Sequence, residues 1–157
     1  MPEYLHGEEE SPIRHEYIAG LVYAMAGGSD RHNLIVGNLH AALRPVARAK
    51  RCQLFFSDVK LRLRMAGEEI FYYPDLMVVC DPHDREPLYR EFPTIVIEVL
   101  SEATERIDRH EKFRNYTQLQ SLQEYVLIAQ AQMEVTVFRR ANSWQPQVLT
   151  QSEQSLV

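Results

Sequence analysis

The apolar residues of this chain fall in short runs whose spacing predicts alternating strands and helices. Residues 15–25 are expected to form a hairpin that turns at Ala19 and Gly20. A helix follows, with Ser29 or Asp30 as its cap. The predicted order is hairpin, helix, three strands, helix, and two or three more strands. This order predicts a mixed α+β (α/β) fold, with a helical crossover between two of the later strands.

Three strands are expected in the middle of the chain. Residues 53–63 alternate strongly and predict one half-buried strand. Residues 69–79 predict the next strand, in which Pro74 fits a start, an edge or a bulge because it lacks an N–H group. Residues 94–100 are apolar on both faces except for Glu98. Such a run is typical of a central strand that is covered on both sides.

Asp75 and Glu98 are acidic residues within otherwise apolar runs. Burying even a polar group costs about 2–7 kcal/mol unless a partner compensates it. A cation shared by both carboxylates is one compensation. The alternatives are that Asp75 caps a turn after Pro74 and that Glu98 joins a buried structural ion pair with Arg or Lys.

Length and composition predict one domain over residues 1–157, with residues 1–12 as a loose lead-in or a short helix. No apolar run approaches the ~20 residues of a membrane helix, and the N-terminus has no signal-peptide pattern. Cys52 and Cys80 have no metal-ligand spacing, and a disulfide between them is possible but unneeded. We therefore expect free thiols, a cytoplasmic location and no membrane partner.

The net charge is −5 and the pI is about 5.7, which argues against a protein that coats nucleic acid. A nuclease is still compatible, because bound divalent metal lets an acidic cluster accept phosphate. Two groups of basic residues fit ordinary solvated helix faces. They are Arg44, Arg48, Lys50 and Arg51, and Arg106, Arg109, Lys112 and Arg114.

If the strands that carry Asp75 and Glu98 are neighbours, the two carboxylates lie roughly 4.5–5.5 Å apart at Cβ. Carboxylates at that separation repel unless a proton or cation lies between them. Mg²⁺ is commonly held by one or two carboxylates together with waters and a phosphate. Such a site polarises a phosphodiester and activates water, and a nearby lysine stabilises developing charge.

Several segments together resemble a known family. They are Tyr73-Pro74-Asp75-Leu76-Met77-Val78-Val79, Ile97-Glu98-Val99-Leu100-Ser101, Asp108 with Lys112 and Tyr116, and Glu124-Tyr125-Val126-Leu127. The hairpin segment Glu16-Tyr17-Ile18-Ala19-Gly20 and a first helix with His32, Leu39 and Leu43 also match. This ordered set resembles the putative restriction endonuclease family abundant in cyanobacteria, within the PD-(D/E)xK nuclease superfamily. The resemblance spans roughly residues 14–128.

The resemblance implies a restriction-endonuclease-like fold, in which helices flank a central mixed sheet and a hairpin precedes it. It implies Asp75 and Glu98 as ligands of Mg²⁺, or of Mn²⁺, assisted by the backbone carbonyl of Val99. The superfamily pattern places Lys two residues after the Glu, where this chain has Leu100. In this family the lysine comes from the following helix, which indicates Lys112. The alternative for Lys112 is a solvated helix residue.

Glu16 and His32 are accessory candidates. Glu16 could reach the metal from the hairpin, or it could be an exposed strand residue. His32 could belong to the site, or it could be a surface or capping histidine near the start of the helix.

The sequence thus predicts a Mg²⁺-dependent endonuclease that hydrolyses DNA, with Asp75, Glu98 and Lys112 as catalytic residues. One alternative is a catalytically weak or inactive protein of the same fold that acts in nucleic-acid binding or assembly. Hydrolysis of another phosphate ester has no support beyond the metal chemistry. Because a duplex has two strands to cut, and because of the family resemblance, we also expect a homodimer.

Overall fold

The computed structural model describes residues 2–25 and 27–151. Its helices are α1 (Pro2–Glu10), α2 (Asp30–Ala49), α3 (Glu105–Ile107) and α4 (Phe113–Tyr116), with a π-helical turn (Asp108–Lys112) joining α3 to α4. A short 3₁₀ turn spans Arg140–Asn142. The strands are β1 (His15–Ile18), β2 (Leu21–Ala24), β3 (Gln53–Phe56), β4 (Lys60–Met65), β5 (Glu68–Tyr72), β6 (Leu76–Val79), β7 (Tyr89–Arg90), β8 (Ile95–Leu100), β9 (Glu124–Ala129), β10 (Val135–Arg139) and β11 (Pro146–Leu149).

In the described part of the chain these strands form two mixed sheets. The first has the order β2-β1-β5-β4-β7, and the second has the order β11-β10-β9-β8-β6-β3. The predicted hairpin is β1 and β2, paired antiparallel. Strands β8 and β9 run parallel, and the helical segment 105–116 makes the crossover between them. The mixed α+β prediction is confirmed, although the strands divide between two sheets.

The largest apolar core lies between the two sheets. Leu61 and Tyr72 of the first sheet pack there with Val96 of the second and with Tyr116 of the crossover helix. The opposite face of the second sheet packs against α2, where Ile97 lies in a smaller core of apolar residues. Strand β8 is therefore covered on both sides, as its continuous apolar run predicts.

The chain passes from one sheet to the other between β3 and β4 and again between β5 and β6, and this corrects two strand predictions. Residues 53–63 are not one strand, because β3 ends at Phe56 and the chain turns at Ser57, which has a φ of 55°. Residues 69–79 are likewise divided, because Pro74 has no N–H to donate to a ladder. The two crossing points touch, since the Ser57 N–H donates to the Asp75 carbonyl at 3.1 Å.

Residues 2–10 form α1 and pack on the first sheet, so the expectation of a loose lead-in is wrong there and the short-helix alternative holds. Tyr4 and Glu8 are both buried. The Glu8 carboxylate accepts hydrogen bonds from the Tyr73 hydroxyl at 2.6 Å and from the His15 N–H at 3.2 Å. These bonds compensate the burial of the carboxylate and hold the helix in place.

The expectation of free thiols is also wrong, because Cys52 and Cys80 form a disulfide. Strand β3 pairs antiparallel with β6, with Gln53 opposite Val79. This register places the two cysteines opposite each other just beyond the paired residues, with their Cα atoms 4.2 Å apart. In the described part of the chain, no helix combines the length and apolar character needed to cross a membrane.

Candidate active site

Asp75 and Glu98 lie side by side, as expected for residues of neighbouring strands. Strands β6 and β8 pair antiparallel with Leu76 opposite Ile97, so Asp75, in the turn before β6, lies opposite Glu98. The Asp75 N–H donates to Glu98 Oε2 at 3.3 Å, and the Val99 N–H donates to Asp75 Oδ2 at 2.7 Å. The backbone of each strand thus fixes the carboxylate of the other.

The Glu98 carboxylate is buried, with 2% of the residue exposed. Its Oε1 accepts hydrogen bonds from Lys112 Nζ at 3.2 Å and from the Tyr116 hydroxyl at 3.0 Å. Burial raises the pKa of Glu98 well above its usual value; the charge of Lys112 opposes this shift, and the neighbouring carboxylates add to it. The Glu98 carboxylate therefore needs positive charge beside it to remain an anion.

Lys112 is buried on the inner face of the crossover helix, so the alternative of a solvated helix residue is wrong. Its ammonium lies 3.1 Å from Glu16 Oε1, 3.2 Å from Glu98 Oε1 and 3.3 Å from Asp108 Oδ1. Burial alone would lower the pKa of Lys112, but these three carboxylates outweigh it and raise the pKa well above its usual value. Lys112 is therefore a cation at neutral pH.

Lys112 lies in a widened turn of the crossover helix. Residues 108–112 are π-helical, a geometry that often occurs at functional sites. The Asp108 carbonyl accepts a hydrogen bond from the buried Tyr125 hydroxyl at 2.9 Å, which fixes the turn against β9. Neither Asp108 nor Tyr116 is among the site residues predicted from sequence. Their four-residue spacing from Lys112 is the available signal, because it places all three on one helix face.

His32 and Glu16 reach the same place from α2 and from the hairpin. Ser29 is the cap of α2, since its hydroxyl accepts from the His32 N–H, so the ring of His32 is left to contact Asp75 Oδ2 at 3.1 Å. That hydrogen bond raises the pKa of His32, although burial opposes the shift. The alternatives of a capping histidine and of an exposed strand glutamate are therefore wrong. All the predicted site residues lie together.

The donor chemistry of this cluster fits a hard divalent cation. Four carboxylates, those of Glu16, Asp75, Glu98 and Asp108, surround one ammonium and one imidazole. The local excess of negative charge is what a bound cation would neutralise. Within residues 2–25 and 27–151, no three His, Cys, Asp or Glu side chains are arranged as a metal-binding group. A hard divalent ion needs only one or two carboxylates and keeps several waters, so the donor types of this cluster are compatible with such an ion.

The fold and this acid–lysine cluster define a chain of nuclease-like architecture, and comparison with known proteins identifies its family. The chain belongs to the Uma2 family, described as "Putative restriction endonuclease", which it matches over residues 1–157. The resemblance stated from the sequence is thus confirmed.

Similar proteins extend over most of the chain. Two uncharacterized proteins of Synechocystis sp., slr1290 and sll1609, are 35% and 34% identical to it over 139 and 131 residues. These matches cover 88% and 82% of this chain, and 72% and 73% of those proteins. A crystal structure of a putative nuclease belonging to DUF820 from Anabaena variabilis has the same fold, with a TM-score of 0.75 and 18% identity. It covers 98% of this chain, and this chain covers 87% of it.

Proposed function

We propose that this protein is a divalent-metal-dependent endonuclease that hydrolyses phosphodiester bonds in DNA, with Mg²⁺ or Mn²⁺ as its metal. One observation carries the proposal. The strand of Glu98 lacks the lysine that the nuclease pattern places at position 100, yet Lys112 brings an ammonium to 3.2 Å from Glu98 Oε1. A long, flexible lysine side chain can supply that charge from a neighbouring helix.

Asp75 and Glu98 would hold the metal, with the backbone carbonyl of Val99 as a third oxygen. Within the described residues, hydrogen bonds to the Asp75 carboxylate reach only Oδ2, which leaves Oδ1 available. When bound, the metal polarises the phosphodiester and lowers the pKa of the attacking water.

Lys112 keeps a positive charge beside the reacting phosphate and orients water or stabilises developing negative charge. Three carboxylates lie within 3.3 Å of its ammonium, and among the described residues only the contact with Glu98 has hydrogen-bond geometry, so contact with substrate requires the exchange of one of these carboxylates. Glu16 is the most exposed of the three, with 14% of its side chain accessible against 3% for each of the others. We therefore assign the exchange to Glu16, while Asp108 keeps Lys112 in place.

Nicking of supercoiled plasmid DNA by purified protein tests the proposal. Wild type is expected to nick with Mg²⁺ or Mn²⁺ and to stop when EDTA is added. Asp75→Ala, Glu98→Gln and Lys112→Met should each lose activity by about 10²–10³-fold, the usual effect of removing one charge-stabilising group. Glu124→Gln, which alters a partly exposed glutamate paired with Arg139 on the adjacent strand, is the matched control. Full activity in Asp75→Ala and Glu98→Gln would refute the proposal.

A second candidate is a protein of this fold that binds nucleic acid without efficient catalysis. The three carboxylates around the Lys112 ammonium favour it, because they surround the ammonium and keep substrate away from it until one of them moves. Titration calorimetry with Mg²⁺ or Mn²⁺ separates the candidates. Absent metal binding, or metal binding that Glu98→Gln leaves unchanged, supports the second candidate.

A homodimer is part of the proposal, since cutting both strands of a duplex is simplest with two active centres. Sedimentation at several protein concentrations, with and without duplex DNA, tests it. A monomer under all these conditions would remove this part of the proposal and leave the metal-dependent nicking activity to be judged separately.

A further inference from the structure

A basic cavity lies at the far end of α2, away from the acid–lysine cluster. It has a volume of about 330 Å³ and is lined by His40, Arg44, Ala47, Arg48, Arg51, Cys52 and Leu54. A second, more open hollow of about 550 Å³ adjoins it along the side of Arg44 and Arg48 that carries Pro45. The two arginines therefore stand between two concave surfaces.

Within the part of the chain that the structure describes, the arginines of this cavity have no carboxylate partner. Among the described residues, Arg44, Arg48 and Arg51 take part in no ion pair and no side-chain hydrogen bond. By contrast, Arg62 and Arg139 are paired with glutamates on neighbouring strands. In a chain with a net charge of −5, three unpaired guanidinium groups around one cavity favour an anionic ligand.

The backbone places these three arginines close together at the end of α2. Arg44 and Arg48 are one helical turn apart on α2 and thus project from the same face. Arg51 has a left-handed backbone, with a φ of 59°, in the tight turn that ends the helix. The Cys52 N–H closes that turn by donating to the Ala47 carbonyl at 2.9 Å, and the disulfide ties it to β6.

The position of the cavity relates it to the acid–lysine cluster. His32 lies in the first turn of α2, and Arg44 and Arg48 follow by 12 and 16 positions, about 18–24 Å along the axis. Between His32 and these arginines along α2, the ring of His40 packs on the ring of Phe56, with 4.5 Å between the ring centroids. A duplex that runs alongside α2 and rises 3.4 Å per base pair would span this axial separation in about five to seven base pairs.

We infer that Arg44, Arg48 and Arg51 bind backbone phosphate of duplex DNA about five to seven base pairs from the bond that is cut. This inference rests on the proposed function and adds where the substrate lies on the protein. Guanidinium groups suit the task because their planar donors match two phosphate oxygens at once. Contacts of this kind fix the register and orientation of the protein on the duplex, and they do not distinguish one base sequence from another.

Fluorescence anisotropy with labelled duplexes tests the inference, with Ca²⁺ in place of Mg²⁺ so that a divalent ion is present at the acid–lysine cluster while cleavage is suppressed. The variant is Arg44→Gln with Arg48→Gln. The matched control is Arg106→Gln with Arg114→Gln, two exposed arginines of the crossover helix that have no carboxylate partner among the described residues. The slope of log K against log salt should become shallower by about 0.9 for each phosphate that the variant no longer neutralises, and it should stay at the wild-type value in the control.

Duplex length and chemical protection give two further readouts. The affinity of wild type for DNA is expected to rise as duplexes lengthen from about 6 to about 20 base pairs, because only longer duplexes contact both the acid–lysine cluster and the arginines of the cavity. The affinity of the variant should not rise in this way. Phenylglyoxal should modify Arg44 and Arg48 of the wild type more slowly when 20-base-pair DNA is bound. This last measurement does not depend on how well the variant folds.

The outcomes separate this inference from the proposed function. If wild type nicks and binds DNA while the two double variants show equal slopes and the arginines are unprotected, the inference is wrong and the nuclease proposal stands. If wild type neither binds nor nicks DNA, both fail. A salt slope and a length dependence that change only in the Arg44 and Arg48 variant, together with protection of these arginines, establish the inference.

Discussion

Lys112 sits among three carboxylates in an interior position, and its removal would leave them facing each other. Breaking a buried ion pair from one side typically costs about 3–5 kcal/mol. We expect Lys112→Met to lower the free energy of unfolding by this amount, as measured by urea denaturation without divalent metal. Adding Mg²⁺ should recover more stability in this variant than in wild type, because the ion replaces the missing positive charge.

Lys50→Met is the control for this experiment, because Lys50 is exposed at the end of α2. Its unfolding free energy should stay within about 0.5 kcal/mol of wild type. A small loss in Lys112→Met, comparable with that of the control, would mean that the carboxylates around Lys112 hold protons and need no cation.

Tyr116 supports Glu98 through a single hydrogen bond of 3.0 Å, and its ring packs against Tyr72 and Tyr125. Tyr116→Phe keeps the ring and removes the donor. A hydrogen bond to a charged group contributes about 1.5–3 kcal/mol, so we expect Tyr116→Phe to lower the free energy of unfolding by that amount, as measured by urea denaturation. Tyr23→Phe, at an exposed tyrosine of β2, should show no loss. Equal stability in the two variants would contradict the assigned hydrogen bond.

At the scale of elements, strands β4 and β5 are joined by a charged pair as well as by their ladder. The Arg62 guanidinium donates two hydrogen bonds of 2.7 Å to the Glu69 carboxylate. These bonds, together with the charges of Arg62 and Arg64, hold the pKa of Glu69 below its usual value, although burial opposes the shift. The folded state therefore binds this proton less readily than the unfolded chain does.

It follows that the contribution of Glu69 to stability is complete above the usual glutamate pKa and is lost as pH falls through the lowered one. The stability difference between wild type and Glu69→Gln should shrink as pH falls from the usual glutamate value of about 4.5 into the more acidic range. Glu68→Gln, at the exposed neighbouring position, should show no such trend. Thermal melts over this range measure both, and parallel curves for the two variants would contradict the prediction.

The disulfide joins edge strand β3 to β6 and closes a loop across a sequence separation of 28. The chain-entropy relation gives about 3–4 kcal/mol for a loop of this length. Replacing both cysteines by alanine should lower the unfolding free energy by about that amount, and reduction of wild type should do the same. Mass spectrometry under non-reducing conditions provides the direct check, and free thiols at both positions would contradict the pairing.

The elements that could be predicted from sequence are those whose pattern is local. Strand β8 is apolar on both faces, which predicts a central strand, and the turn at Ala19 and Gly20 indicates the hairpin. The pattern does not separate β5 from β6, because a continuous apolar run does not reveal which sheet each half joins. Pro74 is the one local sign of the break, and its missing N–H group fits several strand positions.

At the scale of the whole molecule, the proposed metal binding should raise the free energy of unfolding. A ligand that binds only the folded state adds about 2.7 kcal/mol at a hundredfold excess over its dissociation constant. For a chain of this size that corresponds to a rise in Tm of about 5–10 °C. We expect this rise for wild type in Mg²⁺ relative to NaCl of equal ionic strength, and no rise in Glu98→Gln. Glu124→Gln should behave as wild type.

Part of the site could be predicted from sequence because Asp75 and Glu98 interrupt apolar runs. The environment of Lys112 could not, since it depends on how the crossover helix packs on β8 and on the hairpin, and neither contact is encoded locally. The disulfide could not be predicted from the sequence for the same reason. Cys52 and Cys80 become opposite only once β3 pairs with β6, a register that depends on tertiary structure.

The chain crosses between its sheets at Ser57 and again at Pro74, and this has a consequence for folding. Glu16, Asp75, Glu98 and Lys112 come from a hairpin, a sheet-to-sheet crossing, a central strand and a crossover helix, so their meeting is a set of non-local contacts. Loop closure must precede such contacts, which makes them slow to form. Partly folded chains should therefore lack the cluster, and a nascent chain would assemble it only when folding is complete.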